Sequence, residues 1–439
     1  MNALLVLLAV AAGPTATDLT RSLVDEVGPR PSGSEADARA IDWAIRQMKA
    51  AGLQRVHPEP FASPRWQRGE EWAEIVSPVP QRLAIAALGP SVGTPPGGAE
   101  GEVVEVASLQ ALEQLDPAAV KGRIVFLNVP MQRTRGFEGY HAVAPLRRNG
   151  PAAAARKGAV AFLIRSLTAS SARLPHAGSF RVDPGVPGIP SAALAVPDAE
   201  LLHRAIARGV PVRVRLHLGC RVLPEGRSAN VVGEIPGGGA AGEIVLLGAH
   251  LDSWDLGQGA LDDAAGVAMV LVAARSISAP RRTVRVVLFN NEEAGLGGAR
   301  AYAEQHRAEL DRHVLALEMD HGTSPVFYQS VLAAPGPAAD AAIRELGAAL
   351  KPFGLPEIIR GKDHGADLGP LRAAGVPVAM LAQDSSTYFD AHHSADDTMD
   401  RVEAASLEQV TAVVTAFARA AANGKGDLGR IPPELREDR

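Results

Sequence analysis

The sequence predicts an α/β protein built on a mostly parallel, mixed sheet, and three observations carry that expectation. Four apolar strand segments, each followed by a helical segment, recur in the second half of the chain: EIVLLGAHLD from Glu243, TVRVVLFNN from Thr283, HVLALEMD from His313 and VPVAMLAQD from Val376. Unbroken apolar strands alternating with helices are buried on both faces, as parallel strands are. Polar residues able to hold a metal follow the ends of these strands, where α/β sheets collect functional groups. A stretch of a different β/α pattern, about 100–225, precedes the regular part.

The elements follow in chain order. Residues 3–12 (ALLVLLAVAA) are an apolar run the size of a secretory h-region, well short of the ~20 residues needed to span a bilayer. Residues 1–16 therefore read as a signal peptide cleaved after Gly13 or Ala16, with a secreted or periplasmic mature protein, although Met1-Asn2 carries no Lys or Arg. Over 34–53 Ile41, Ala44, Ile45 and Met48 share one face, with Ser34 as N-cap and Gly52 as the stop, which predicts a helix. From 72 to 106 prolines interrupt short alternating runs, as in strands and loops, and GTPPGGAEG (93–101) marks a composition boundary.

Beyond it come a buried strand in VKGRIVFLNVP, a helix and strand in AAAARKGAVAFLIRS, a strand and helix in PSAALAVPDAELLHRAIARG, and an alternating strand over Val212–Val222. Helical patterns then cover 262–277, 298–311, 338–351, 367–374 and 406–422. The predicted organisation is a catalytic domain over 17–99 and 226–424, an insert over 100–225, and a polar, loosely packed tail over 425–439.

Composition limits the chemistry. A formal charge of -5 offers no basic excess for nucleic acid, and no stretch is apolar enough for a membrane span. One cysteine, Cys220, excludes an intrachain disulfide or a multi-cysteine zinc site and reads as a packing residue. A metal must therefore be held by some of the 12 His with Asp and Glu. His141, His176, His203 and His217 lack ligand spacing and read as surface or core histidines.

His250 and Asp252 follow the first strand, Glu292 and Glu293 the second, and Asp320 the third, while the fourth leads through Tyr388 to His392 and His393. Asp262-Asp263 opens the helix after the first strand. Singly, each has a plainer explanation as a helix cap, turn former or solvated loop. Their joint occurrence at successive strand ends is what points to a site. Glu292 and Glu293 can serve one site only if the chain has already left the strand, which Asn290-Asn291 and Gly295 suit. Two zinc ions sharing one carboxylate need five protein ligands, and His250, Asp262, Glu293, Asp320 and His393 are five. Glu292 is then free as a general base, and Asp252 is placed to hold the His250 imidazole.

HLDSWDLGQGALDD (250–263), NEEAGLGG (291–298), LEMDHGT (317–323) and HHSADDTMD (392–400) resemble the co-catalytic di-zinc exopeptidase family of bacterial leucyl aminopeptidases, glutamate carboxypeptidase and carboxypeptidase Q, and the carboxypeptidase Q branch most. The insert and GPRPSGSEADARA (28–40) extend the resemblance to nearly the whole chain. It implies a three-layer zinc-exopeptidase fold interrupted by a protease-associated-like β/α insert, and two Zn2+ per subunit. Asp262 would bridge them, His250 and Asp320 completing one ion and Glu293 and His393 the other.

His393 is preferred to His392 because the family has a His-Ser/Thr pair, here His393-Ser394. The resemblance also implies a cis Asp262–Asp263 bond, a homodimer, and dipeptides or short peptides as substrates. A bridging water, deprotonated by Glu292, would attack the scissile carbonyl, with Tyr388 as a candidate donor to the oxyanion. Ala366-Asp367-Leu368 departs from the Ser-Asp-His of many relatives, so a histidine that holds the substrate amine is not expected there. An aminopeptidase of the same family is the alternative within the class. A di-metal phosphoesterase is a second alternative. A receptor or scaffold member that has lost its ligands is another, against which the full ligand set and base count.

Overall fold

The computed structural model describes residues 13–436, which form two eight-stranded sheets. The first runs from edge to edge as Gln54–Gln67, Arg221–Ile235, Arg282–Phe289, Ala240–His250, His313–Glu318, Val378–Gln383, Val326–Leu332 and Ile359–Arg360. Its four central members are the four segments marked as strands by their apolar runs, and they are mutually parallel. Antiparallel neighbours flank them on both sides, so the sheet is mixed. Every residue of Arg282–Phe289 and of Val378–Gln383 is buried, which is why these segments show no polar alternation.

Ala240–His250, the first of the four in the chain, lies between the second and the third. The chain leaves it to one side and later passes to the other, so a crevice opens at the carboxyl ends of these strands. Alternate residues of Ala240–His250 face two helical layers. Val245, Leu247 and Ala249 join a core with the helices Ala16–Glu26, Glu35–Ala50, Ala265–Arg275 and Ala404–Asn423. Leu246 packs on the other side with Tyr302 and Leu371, from the helices Gly297–Gln305 and Gly369–Ala373.

In Glu35–Ala50 the cap is as expected, with Ser34 Oγ accepting from Asp37 N at 3.1 Å and Gly52 at φ +84°. The buried face is rotated from the predicted one. Trp43 is fully buried and donates Nε1–H to Ser22 Oγ at 2.9 Å, while Ile41 and Ile45 lie half-buried at its margin. A large aromatic with a partner for its polar atom takes the centre of the face.

Proline hid two elements. Gln54–Gln67 contains Pro58, Pro60 and Pro64, which its position at the sheet edge tolerates. The helix Glu138–Arg156 encloses Pro145 and Pro151 and persists because Val143, Ala144 and Ala152 to Ala155 are buried along it. The helix Ala16–Glu26, capped by a Thr15–Asp18 capping box, starts within the segment expected as a signal peptide. The apolar run itself lies outside the described residues. No described helix is long and apolar enough to cross a membrane.

The second sheet is ordered Gln81–Leu83, Glu71–Ser77, Arg213–Leu218, Ala99–Val106, Ile124–Leu127, Ala161–Arg165, Ser191–Leu194 and Ile85–Ala87. It starts earlier than the expected boundary near residue 100, since Glu71–Ser77, Gln81–Leu83 and Ile85–Ala87 belong to it, and GTPPGG (93–98) is a loop that leads into Ala99–Val106 of the same sheet. At the far end, 221–225 already belong to the first sheet. The expected loose tail is packed as far as it is described: Leu428 and Ile431 are buried, and Ile431 N donates to Gly375 O at 2.9 Å.

Arg285 anchors the base of the central strands. It donates to Glu234 Oε1 at 2.7 Å, Glu309 Oε1 at 2.6 Å and the Tyr302 hydroxyl at 3.0 Å. Burial works against the Glu309 charge, but hydrogen bonds from Arg285 and His306 outweigh it and bring its pKa from 4.5 down to about 2. A carboxylate with a depressed folded pKa contributes stability above its unfolded pKa and loses it as pH falls through the folded one. Glu309→Gln is expected to lower unfolding free energy at pH 7 by about 1–3 kcal/mol, the gap from wild type narrowing between pH 4.5 and about 2 in urea denaturation.

Candidate active site

The crevice is organised by the end of Ala240–His250. His250 is its last residue and is buried, with Nε2 3.0 Å from Asp262 Oδ1 and 3.2 Å from Asp320 Oδ1. On its other side Nδ1 lies 3.1 Å from the Asp252 carbonyl oxygen. The Asp252 carboxylate stands farther off, at 3.9 Å, and accepts instead from Glu292 N at 3.1 Å. The imidazole is therefore oriented by the backbone of Asp252, while its side chain holds the loop that carries the two glutamates.

Asp262 turns its second oxygen the opposite way. Oδ2 lies 3.3 Å from His393 Nε2, which is itself 2.9 Å from Glu293 Oε2. Glu293 Oε1 is buried and has no hydrogen-bond partner among the described residues. One carboxylate thus stands between two imidazole–carboxylate pairs, His250 with Asp320 and His393 with Glu293. The Asp262–Asp263 peptide is cis, as the resemblance implies. Asp263 also lies close to His250 and Asp320, but its oxygens accept from His250 N at 3.0 Å and Gly266 N at 3.1 Å.

His392 is the other imidazole near Asp262, at 3.7 Å from Oδ2, and its ring stacks on His393 with centroids 3.6 Å apart. His393 has φ +59°, uncommon for a residue with a Cβ, and its carbonyl accepts from Ala177 N at 2.8 Å. Glu292 and Glu293 follow a strand that ends at Phe289, with Asn291 at φ +63° and Gly295 at φ +122° making the exit. This is the departure from the strand that the sequence required.

Carboxylates outnumber cations in this pocket. Burial pushes Glu293 up to about 7, with the Asp262 charge adding to it and His393 opposing. Burial also raises Glu292 well above its ordinary value; His250 opposes, while Glu293 and Asp320 add. Burial disfavours the His250 imidazolium, but Asp320 and Asp262 lift it well above the usual range. Such a set of buried nitrogen and oxygen donors with surplus negative charge is what a cation would balance. Tyr388 is buried in an aromatic group with Phe137 and Phe389, against Gly322. Burial and the charges of Asp262 and Asp320 hold its phenol proton in place.

Several supporting residues had no legible role in the sequence. Arg30 is fully buried and donates to Leu251 O at 2.6 Å, Gln258 O at 2.9 Å and Gly259 O at 2.8 Å, closing the loop between His250 and Asp262. Asp397 holds the same loop through Ala260 N at 3.0 Å and Leu261 N at 2.7 Å. Glu318, the last residue of its strand, accepts from Asp367 N at 3.0 Å, and burial beside Asp320 raises its pKa to about 8. Glu318 had a visible cue as an acid within an apolar strand, and Asp397 lies within the HHSADDTMD motif, while Arg30 had none.

Known proteins resemble this chain over most of its length. The profile of peptidase family M28 matches residues 230–418, the part that carries the strand-end residues. Carboxypeptidase Q of Bos taurus is 38% identical over 396 residues, covering 89% of this chain and 82% of its own. The chain belongs to peptidase family M28. Among solved structures, a peptidase M28 precursor from Shewanella amazonensis SB2B superimposes with a TM-score of 0.93 at 41% identity, covering 96% of each chain. The zinc aminopeptidase BSAP from Bacillus subtilis shares the fold, with a TM-score of 0.67 at 21% identity over 95% of this chain and 97% of its own. As an M28 member the chain is a metallo-exopeptidase, a hydrolase of peptide bonds.

Arg30→Met leaves four carbonyls, those of Leu251 and Gly259 buried, without their donor and removes the cation facing Asp397. It is expected to destabilise the protein by about 3–5 kcal/mol in chemical denaturation. Arg30→Lys should recover only part, since a point charge does not reproduce the fork.

Proposed function

We propose that this M28 peptidase is a zinc-dependent exopeptidase of dipeptides or short peptides with two zinc ions per subunit. His250 and Asp320 would hold one ion, Glu293 and His393 the other, and Asp262 both. The observation that carries this reading is the position of Asp262, with one oxygen toward each imidazole–carboxylate pair. Two ligand atoms at tetrahedral positions on one zinc stand about 3.3 Å apart. The facing atoms here are separated by 3.0 and 3.2 Å around His250, and by 2.9 and 3.3 Å around His393. The partnerless, buried Oε1 of Glu293 also fits a site built for a cation. His393 is favoured over His392 because only His393 is paired with Glu293 among the ion pairs of the described residues.

Zinc bound there supplies Lewis acidity, lowering the pKa of water and polarising the scissile carbonyl. Glu292 acts as the proton carrier: it takes the proton of the attacking water and returns it to the leaving amine. Its backbone N–H on Asp252 holds it beside the cluster without using its carboxylate. Asp252 positions His250 through its carbonyl and Glu292 through its carboxylate, and Tyr388 keeps a proton to donate to the developing oxyanion. The apolar run at 3–12 supports export, and the resemblance read from the sequence motifs carries the reading of a homodimer and of a peptidase body with an insert. The BSAP fold keeps an aminopeptidase as the second reading.

Glu292→Gln is expected to lose about 10²–10⁴-fold in kcat while retaining the metal content of wild type by elemental analysis. Asp262→Ala is expected to lose both activity and metal. A near wild-type rate in Glu292→Gln, or fewer than two equivalents of metal in fully active enzyme, overturns the assignment. Chelation should abolish dipeptide hydrolysis, and readdition of zinc should restore it.

A further inference from the structure

Beside the cluster lies a cleft of about 350 Å³, within the range of small-molecule sites. Its walls are mostly apolar: Trp66 and Trp254 meet edge to face at 6.3 Å, and Val92, Phe180 and Ile189 line other parts. Glu293 and Asp252 also line it, so it opens onto the reacting centre. Trp254 joins the two, its ring 5.7 Å from that of His393.

Of the charged groups that line this cleft, all but Arg65 have at least one charged or hydrogen-bonded partner in the protein. Arg181 pairs with Asp183 at 3.1 Å, and Asp183 also pairs with Arg156. Asp252 accepts from Glu292 N, and Glu293 faces His393. Arg65 has no ion pair or hydrogen bond through its side chain among the described residues, although it is only partly exposed. The fold makes room for it. A Cβ on Gly226 would stand 2.3 Å from Arg65 Cδ, and one on Gly33 would stand 2.9 Å from Cγ. Gly33 has φ +76° and needs glycine for its backbone, but Gly226 has no such need, so the close approach of the Arg65 stem accounts for it.

We infer that this cleft receives the carboxy-terminal residue of the substrate, its side chain against the apolar walls and its free α-carboxylate on the Arg65 guanidinium. This rests on the exopeptidase reading and deepens it, selecting peptides with a free carboxyl end and an apolar or aromatic last residue. The carboxylate oxygens at this cleft that lack a partner, Asp252 Oδ2 and Glu293 Oε1, are buried out of reach of a substrate amine, whereas the partly exposed Arg65 offers an unpaired cation. A guanidinium suits a carboxylate because its paired N–H groups match the two oxygens.

The test compares Ala-Phe with Ala-Phe-amide, and Ala-Ala-Phe for the position of cleavage. Wild type is expected to prefer the acid by about 10–100-fold in kcat/KM, the effect of one charge-assisted contact, and to release free Phe from the tripeptide. Arg65→Met should bring the acid-to-amide ratio near one with zinc content unchanged, and Arg65→Lys should restore part of it. Equal use of acid and amide by wild type, or an unchanged ratio in Arg65→Met, overturns the inference even if hydrolysis is chelator-sensitive. Calorimetry with N-acetyl-phenylalanine and its amide reads the subsite apart from turnover. Arg65-dependent preference for the acid without any peptide hydrolysis would keep the subsite and reject the exopeptidase reading. Equal binding of the two overturns the subsite.

Discussion

The carboxylate of Asp262 is the constraint around which the rest of the crevice is built. It is buried with one oxygen toward His250 and the other toward His393, residues that come from opposite ends of the catalytic half of the chain. To hold it there, the chain must end Ala240–His250 between its two neighbours, return through a closed loop and start a helix at Ala265. Burial disfavours the charge of Asp262, yet the two imidazoles keep its pKa well below the ordinary value. The two imidazoles thus hold it in the charged form.

The second sheet takes part in the same arrangement. His176 Nδ1 lies 2.6 Å from the His392 carbonyl oxygen, and Ala177 N donates to the His393 carbonyl. Arg147, from the Pro-containing helix, hydrogen-bonds to the Ala177 carbonyl at 3.2 Å and reaches the His393 ring at 3.5 Å. The left-handed backbone of His393 is therefore held from outside its own loop. The aromatic group of Phe137, Tyr140 and Phe389 seals the contact, with Tyr140 stacked on Phe389 at 4.7 Å. The region read as an insert is thus a structural support of the candidate site.

What was legible in the sequence follows from how local each determinant is. The four central strands are buried on both faces, so their apolar runs stand out, and the helices between them keep the ordinary period. The ligand-type residues sit at strand ends, where polar groups after apolar runs are visible one by one. Gln54–Gln67 and Glu138–Arg156 were obscured because proline disfavours both elements locally, and tertiary burial and edge placement override it. Arg30 carried no local cue. Three of its four side-chain acceptors lie more than 220 residues away, and all are backbone carbonyls, which no side-chain pattern can announce. Asp252, expected to hold the His250 imidazole, presents its carbonyl to Nδ1 at 3.1 Å and its carboxylate at 3.9 Å, a division between backbone and side chain that spacing alone does not show.

The acids of the crevice divide by what their oxygens do. Asp252, Asp263 and Asp397 accept from backbone N–H groups of the loops that surround the cluster, so their charge is used to fix chain positions. Asp262, Asp320 and Glu293 face imidazole nitrogens instead. A buried carboxylate bonded to amides gives part of its acceptor capacity to the chain, two bonds each for Asp263 and Asp397 and one for Asp252, whose Oδ2 has no partner among the described residues. One that faces imidazoles keeps lone pairs for a cation and depends on its neighbours for charge balance. Sequence spacing cannot separate adjacent members of these classes, as Asp262 and Asp263 show. The turn between them aims one carboxyl at the imidazoles of His250 and His393 and the other at the amides of His250 and Gly266, so two neighbours of identical type meet opposite kinds of partner.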